Sequence, residues 1–312
     1  MSERTIKVGM IGAGFILKYH AAAVAAIPGL TLHVVADSSP ARARQAAAQY
    51  GFEHWVTSLE EIAVSDCEVV HVLLPSFLHE AAARTLIDAG KSVFLEKPMA
   101  LSSDACSGLC ERAEERGVAL GVNHNFLFTP RYEAIRSAIR AGELGRLDQL
   151  HVNWHAELAQ LRVGPFDGWM VAAPANQLFE TGAHLAGFVI DLLGPASVRS
   201  AVAGDPVHLP SGQIAYRHWS AIAEAGSAAV LLNRPPSPVE TYNDLDGEVA
   251  NFFHHATGMT VRLENSMEST VDPVHVRCRN KSVEQSLRVV LGSCGLGYMV
   301  VDQELIITTP AV

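Results

Sequence analysis

The sequence predicts an α/β protein: a doubly wound parallel sheet, then a shortened α+β sheet domain, then a small α+β C-terminal module. Three observations carry this. Residues 5–37, TIKVGMIGAGFILKYHAAAVAAIPGLTLHVVAD, run from an apolar strand through a glycine turn into a helix, and on to a second apolar strand ending in an acid. From there to residue 122, apolar strands alternate with alanine-rich helices over short connections, the pattern of parallel strands covered on both faces. After residue 125 apolar residues alternate singly along a strand, as they do where one face is buried.

The elements follow in order. Ile6, Val8, Met10 and Ile11 form the first strand, and Gly12-Ala13-Gly14 turn the chain. Phe15 to Ala26 read as a helix stopped by Pro28 and Gly29. Leu32 to Ala36 form the second strand, which ends at Asp37. Gly12 suits a tight turn, and Gly14, having no Cβ, lets a pyrophosphate approach the main chain. The amides of Phe15 and Ile16 then face the anion, helped by the helix dipole. Asp37 stands where a carboxylate accepts from both adenosine ribose hydroxyls and repels a 2′-phosphate, so NAD is favoured over NADP. Arg42 and Arg44 keep NADP as the minority reading. Leu17 takes the third glycine position of G-x-G-x-x-G, which serves helix–strand packing rather than phosphate contact.

Pro40 to Tyr50 is a helix ended by Gly51, and Leu59 to Ala63 a short one. Glu68 to Leu74 is a strand closed by Pro75, and Leu78 to Ala89 a helix capped by Gly90. Ser92 to Leu95 is a strand followed by Glu96-Lys97-Pro98. A helix from Ser102 or Ser103 runs to Arg116, and Val118 to Val122 closes the domain. Ligands of such sheets bind at the carboxyl ends of the strands, where Gly12–Gly14, Pro75 and Glu96–Pro98 fall.

Pro130 to Ala141 is the next helix. Leu147 to Glu157 is a strand with Leu150, Val152 and Trp154 on one face and His151, Asn153 and His155 on the other. Ala175 to Leu193 reads as one helix; Val198 to Val202 and Ala228 to Leu232 read as strands. A linker, Arg234-Pro-Pro-Ser-Pro238, precedes a helix at Leu245 to Ala256 and a strand at Met259 to Leu263. A strand at Val274 to Cys278, a helix at Val283 to Leu291 and strands at Tyr298 to Val301 and Leu305 to Thr308 complete the chain. The division is therefore 1–125, 126–234 and 240–312, the last a separate module or a divergent end of the second domain.

The 312 residues are 49% apolar and 18% charged, as in a well-packed globular protein. A net charge of −10 argues against nucleic acid or an anionic membrane as partner. No run of about 18 apolar residues predicts a membrane span. The N-terminus runs straight into the first strand, so no signal peptide and a cytoplasmic location are expected. Cys67, Cys106, Cys110, Cys278 and Cys294 have no disulfide-like or zinc-like spacing and are expected as buried thiols, with no metal site.

Two constellations carry chemistry. A lysine is costly to bury, so Lys97 at a strand end beside a cofactor turn suits hydrogen bonding to a substrate hydroxyl and stabilisation of negative charge on oxygen; a surface ion pair is the bland alternative. Glu180 and His184 stand four apart on one helical face. The imidazole suits transfer of a hydroxyl proton; a structural Glu–His pair is the bland alternative there.

Together these pieces resemble the glucose–fructose oxidoreductase and inositol dehydrogenase (Gfo/Idh/MocA) family, over about residues 5 to 232. The matching stretches are VGMIGAGFILKYH, VVAD, LLPSFLHEAAARTLIDAGKSVFLEKPMAL, FTPRYEAIRSAIRAGELGRL and NQLFETGAHLAGFVIDLLG. The resemblance implies a Rossmann domain with Gly12, Gly14 and Asp37 binding NAD, and Pro75, His79 and Glu96 lining the nicotinamide side. It implies Lys97 and His184 as catalytic residues, with Glu180 near the substrate where the family usually has aspartate. It further implies a sugar, cyclitol or related polyol as substrate, and homo-oligomers through the sheet of the second domain. Gly187 lies where a further aspartate often follows the histidine. Residues 244–310 resemble a small secretin and TonB N-terminal-type module, on VANFFHHATGMTVRL, VHVRCRN, VEQSLRVVLGSCGL and YMVVDQELIITTP. The expected function is NAD(P)-dependent hydride transfer at a secondary alcohol. The rival is a non-catalytic dinucleotide- or sugar-binding protein acting through partners, with His151, Asn153, His155 and Trp169 as guessable substrate contacts.

Overall fold

The computed structural model describes residues 4–154, 161, 166, 168–234, 260–263, 274–278, 297–301 and 304–308. The chain divides into two compact units, Met1–His124 and Asn125–Val312.

The first unit is built on β1 (Ile6–Ile11), α1 (Leu17–Ala26), β2 (Leu30–Ala36), α2 (Pro40–Tyr50), β3 (His54–Val56), α3 (Leu59–Ala63), β4 (Val69–Val72), α4 (His79–Asp88), β5 (Ser92–Glu96), α5 (Ser103–Arg116) and β6 (Leu120–Asn123). The strands make one parallel sheet in the order β3-β2-β1-β4-β5-β6. Alternate residues feed two cores. Val8, Met10, Leu32 and Val35 pack with Leu17, Ala21 and Val24 of α1 and Ala46 and Ala47 of α2. Ile11, Val34, Val70, Val72, Val93 and Leu95 pack with α3, α4 and α5 on the other face. Helix ends follow local chemistry. The Ser39 hydroxyl accepts from the Arg42 amide ahead of Pro40, and Ser102 caps α5 through the Ala105 amide.

The second unit contains α6 (Pro130–Arg140), β7 (Leu147–Asn153), α7 (Trp169–Ala172), α8 (Pro174–Gln177), a π turn (Leu178–Gly182), α9 (Ala183–Leu193), β8 (Ser197–His208), β9 (Ile214–Ala225) and β10 (Ala228–Arg234). Beyond these lie β11 (Thr260–Leu263), β12 (Val274–Cys278), β13 (Gly297–Val301) and β14 (Glu304–Thr308). A five-stranded mixed sheet runs β12-β7-β10-β9-β8, and β11, β14 and β13 form a second sheet. Tyr132 of α6 and Leu185, Phe188 and Val189 of α9 cover one face of the larger sheet, against Leu150, Val152, Trp154, Ala223 and Val230.

Three expectations need correction. The second domain's sheet does not end at residue 234: β12 pairs antiparallel with β7, from Val274↔Val152 to Cys278↔Leu147, so that strand of the 240–312 segment belongs to it. The helices expected at 245–256 and 283–291 lie outside the described residues. The helix expected over 175–193 is divided, with Pro174 starting α8 and a π turn standing before α9. The thiols are not uniformly buried. Cys67 is, but Cys106 is half-buried and Cys110 exposed, because α5 buries Leu109 and Ala113 instead. Cys294 lies outside the described residues. No helix among the described residues is long and apolar enough to cross a membrane.

Candidate cofactor and catalytic site

The turn after β1 is shaped by glycine in two ways. Gly12 has φ +104°, and a Cβ there would stand 2.6 Å from the Leu73 carbonyl oxygen; no other residue fits. Gly14 is the reverse case, with open space where its Cβ would be, so a phosphate meets bare backbone. Ile16 precedes α1 without a side-chain cap, and the first turn carries no acid; its amides meet an incoming anion without a competing carboxylate. Leu17 is buried against Val8, Met10, Val35 and Leu73. The missing third glycine is thus a packed helix–sheet contact. Phe15 stands exposed, with Lys18 Nζ 4.2 Å from its ring centroid.

Asp37 closes β2 and is already engaged. Oδ2 accepts from the Ala13 amide at 2.9 Å. Oδ1 accepts from the Ser39 amide at 2.8 Å and from Arg42 Nε and Nη2 at 3.0 and 2.9 Å. Burial raises its pKa, but the Ser39 amide, the Arg42 guanidinium and the Ala13 amide outweigh it and leave the group below the ordinary aspartate value. As it stands, Arg42 occupies the oxygen that a two-handed ribose grip needs.

At the ends of β4 and β5 the structure sorts the expected lining residues. Pro75 precedes a 3₁₀ turn (Ser76–Leu78) leading into α4. His79 is a brace rather than a lining group. It is 1% exposed, and its Nε2 and Nδ1 lie 2.7 Å from the carbonyl oxygens of Leu74 and Pro98, which ties the two strand ends together. Glu96 also points inward. Oε1 accepts from His20 Nε2 at 2.9 Å and Asn123 Nδ2 at 2.7 Å, and Oε2 from the Lys97 amide at 3.3 Å. Burial raises the Glu96 pKa, while His20, Asn123 and the Lys97 charge lower it further and keep the carboxyl ionised. Behind it, His20 Nδ1 sits 3.1 Å from His71 Nδ1. Burial and the neighbouring His20 pull His71 from 6.5 to about 4 against the opposing pull of Glu96, so that ring is neutral at pH 7. Lys97 is 9% exposed. Burial and the Lys97 charge also lower His124. His20, His71, Asn123 and His124 are additions to the expected site. The signal for two of them was a histidine inside an otherwise apolar strand, HVLL at residue 71, and one among the alanines of α1.

In the second unit His184 is 8% exposed on α9. Its ring stacks on Trp154, 5.1 Å between centroids and 7° from parallel, and meets Phe126 edge-on at 4.7 Å. Glu180 lies in the π turn, half-buried. His184 follows in the first turn of α9, so the two residues stand on successive π and α segments. Asn153 belongs to a polar chain across the sheet: Asn233 Nδ2 donates to its Oδ1 at 3.1 Å, and Ser220 Oγ donates to Asn233 Oδ1 at 2.7 Å. His151 is exposed and Trp169 opens α7; His155 lies outside the described residues. Among those residues, one group with metal-ligand geometry occurs, His33, Glu53 and His54, away from Lys97.

Comparison with known proteins bears on the first unit most directly. Residues 6–124 match the Gfo/Idh/MocA model, described as an oxidoreductase family with an NAD-binding Rossmann fold. The chain is 32% identical over 149 residues to inositol 2-dehydrogenase of Rhizobium meliloti, a match covering 47% of this chain and 44% of that protein. It is 30% identical over 146 residues to scyllo-inositol 2-dehydrogenase (NAD(+)) of Bacillus subtilis, covering 46% and 42%. The chain thus spans less than half the length of these curated relatives. Among solved structures, levoglucosan dehydrogenase in complex with NADH and levoglucosan superposes with TM-score 0.69 at 22% identity, over 76% of this chain and 68% of that one. The WlbA dehydrogenase from Bordetella pertussis, in complex with NADH and UDP-GlcNAcA, gives 0.67 at 23%, over 77% and 70%. These likenesses establish the fold: a parallel six-stranded Rossmann sheet and a separate mixed-sheet domain.

Proposed function

We propose that this chain is an NAD-dependent oxidoreductase that moves a hydride to or from a secondary alcohol carbon of a sugar, cyclitol or related polyol. The observation that carries it is Lys97, buried at the carboxyl end of β5 beside an ionised Glu96, in the unit that holds the glycine turn. The names of the relatives, inositol and levoglucosan dehydrogenases, support the substrate class.

The residues present fit a dinucleotide. Gly12 and Gly14 shape the turn, the amides of Phe15 and Ile16 take the pyrophosphate, and Asp37 takes the ribose. Pro75 flanks the nicotinamide side, with His79 and Glu96 bracing the strand ends behind it. When bound, NAD supplies a hydride acceptor. The rest belongs to side chains. Lys97 Nζ donates to the substrate oxygen and stabilises the negative charge that grows there. A ring nitrogen of His184 takes the hydroxyl proton during oxidation and returns it during reduction. Glu180 holds a neighbouring hydroxyl.

The test is turnover of a polyol and keto-sugar panel with NAD and NADH. Lys97→Ala and His184→Ala should each lower kcat by roughly 10²- to 10⁴-fold while leaving NADH affinity nearly intact. Wild-type protein that binds NADH and turns over no member of the panel favours the non-catalytic reading.

A further inference from the structure

Three ligand-bearing side chains gather where the edge strand of the first sheet begins. His33 lies within β2, Glu53 directly precedes β3, and His54 opens it. Among the described residues β3 pairs on one side only, with β2. His33 Nδ1 is 2.8 Å from Glu53 Oε2, and the rings of His33 and His54 meet at 89° with centroids 5.1 Å apart. One nitrogen from each ring and one carboxylate oxygen all lie within 4.8 Å of one another.

Ligand atoms around a tetrahedral zinc ion stand about 3.4 Å apart, given metal–ligand bonds of about 2.0–2.2 Å. His33 is 5% exposed and fixed by the sheet, whereas Glu53 and His54 are exposed, so small rotations of those two side chains close the gap. The hydrogen bond from His33 explains two members of the group. It does not explain the second imidazole turned edge-on beside them. Two imidazoles and a carboxylate suit zinc and its neighbours rather than magnesium or calcium.

We propose that His33, Glu53 and His54 bind a divalent transition-metal ion of the zinc class, with a fourth position left to water, and that the ion clips β3 to β2. The site is independent of the dehydrogenase reading and shares none of its residues.

The test is calorimetric titration of the metal-stripped full chain with zinc sulfate near pH 7.5. One saturable site at micromolar zinc is expected, with zinc raising the melting temperature. His54→Ala and Glu53→Gln should each weaken binding at least about tenfold and abolish the thermal gain, with metal-free melting unchanged. If one variant fails to fold, the other carries the test. Absence of saturable binding up to millimolar zinc overturns the proposal, as does binding that both folded variants leave unchanged.

Discussion

Lys97 and His184 are the two proton-handling candidates, and they are held by different physics. Lys97 ends a strand whose polar neighbours reach back into the sheet, where Glu96 collects hydrogen bonds from His20, Asn123 and the Lys97 amide. His184 stands among rings, stacked on Trp154 and edge-on to Phe126. The first arrangement depends on charge states and therefore on pH. The second depends on shape and therefore on side-chain volume. Each makes a distinct variant damaging, and that contrast can be broken or sharpened by experiment.

The largest effect is expected from Trp154→Ala. Trp154 is 8% exposed, and its Nε1 has no hydrogen-bond partner among the described residues, so its contribution is packing. Removing it should cost about 3–5 kcal/mol of stability and lower turnover by leaving His184 unstacked, with NADH affinity preserved. Trp154→Phe keeps an aromatic face and should recover much of both. Denaturant melts and kcat for the pair check this. Equal damage from Phe and Ala would show that shape is not what holds His184.

A smaller effect, specific to the polar side, is expected from acid. His71 is neutral in the folded protein, with a pKa of about 4 against 6.5 for the ordinary ring. The unfolded chain takes up a proton at this residue below about pH 6.5 and the folded chain does not. Its contribution is therefore complete above that pH and is lost as pH falls toward 4. At about 1.4 kcal/mol per pH unit the loss is roughly 3 kcal/mol. Glu96 and Asp37, both lowered, add their own losses as pH falls further, through their folded pKa values. His71→Asn should flatten the stability profile between pH 6.5 and 4, measured by urea melts across that range. An unchanged slope would assign the acid sensitivity elsewhere.

The contrast also explains what could be read ahead of the coordinates. Five of the six strands of the first sheet were legible as short apolar runs, whereas the edge strand β3, His54–Val56, was not, being only three residues long and opening on a histidine. The glycine turn, the acid ending β2 and the buried face of Leu150, Val152 and Trp154 followed from spacing, while Lys97 stood out by its place at a strand end and by the family resemblance. β9 escaped notice because its inward positions are alanines, Ala215, Ala223 and Ala225, which carry little strand signal. The π turn at Leu178–Gly182 is set by tertiary packing, and nothing in LFETG spells it. The side chains of the Glu96 cluster lie 27 to 103 apart in sequence, a separation that local pattern does not reach. The resemblance implies His79 on the nicotinamide side, and no sequence pattern reveals its two carbonyl partners, Leu74 and Pro98.

The smallest effect concerns Arg42, where charge and shape meet. Its guanidinium holds Asp37 Oδ1 through two hydrogen bonds while remaining 61% exposed along its side chain. With Asp37 buried but the guanidinium in water, the pair is worth about 1 kcal/mol, so its competition with a ribose hydroxyl is mild. Arg42→Ala frees Oδ1 and should tighten NADH by up to about fivefold. The same change removes the nearest cation able to meet a 2′-phosphate, so NADPH should weaken and the preference for NADH should widen. Fluorescence titration of both cofactors against wild type and variant checks this. Weaker NADH binding in the variant would mean that Arg42 holds Asp37 in place for the ribose rather than competing for it, and the polar end of the first unit would then be as preorganised as the aromatic cage around His184.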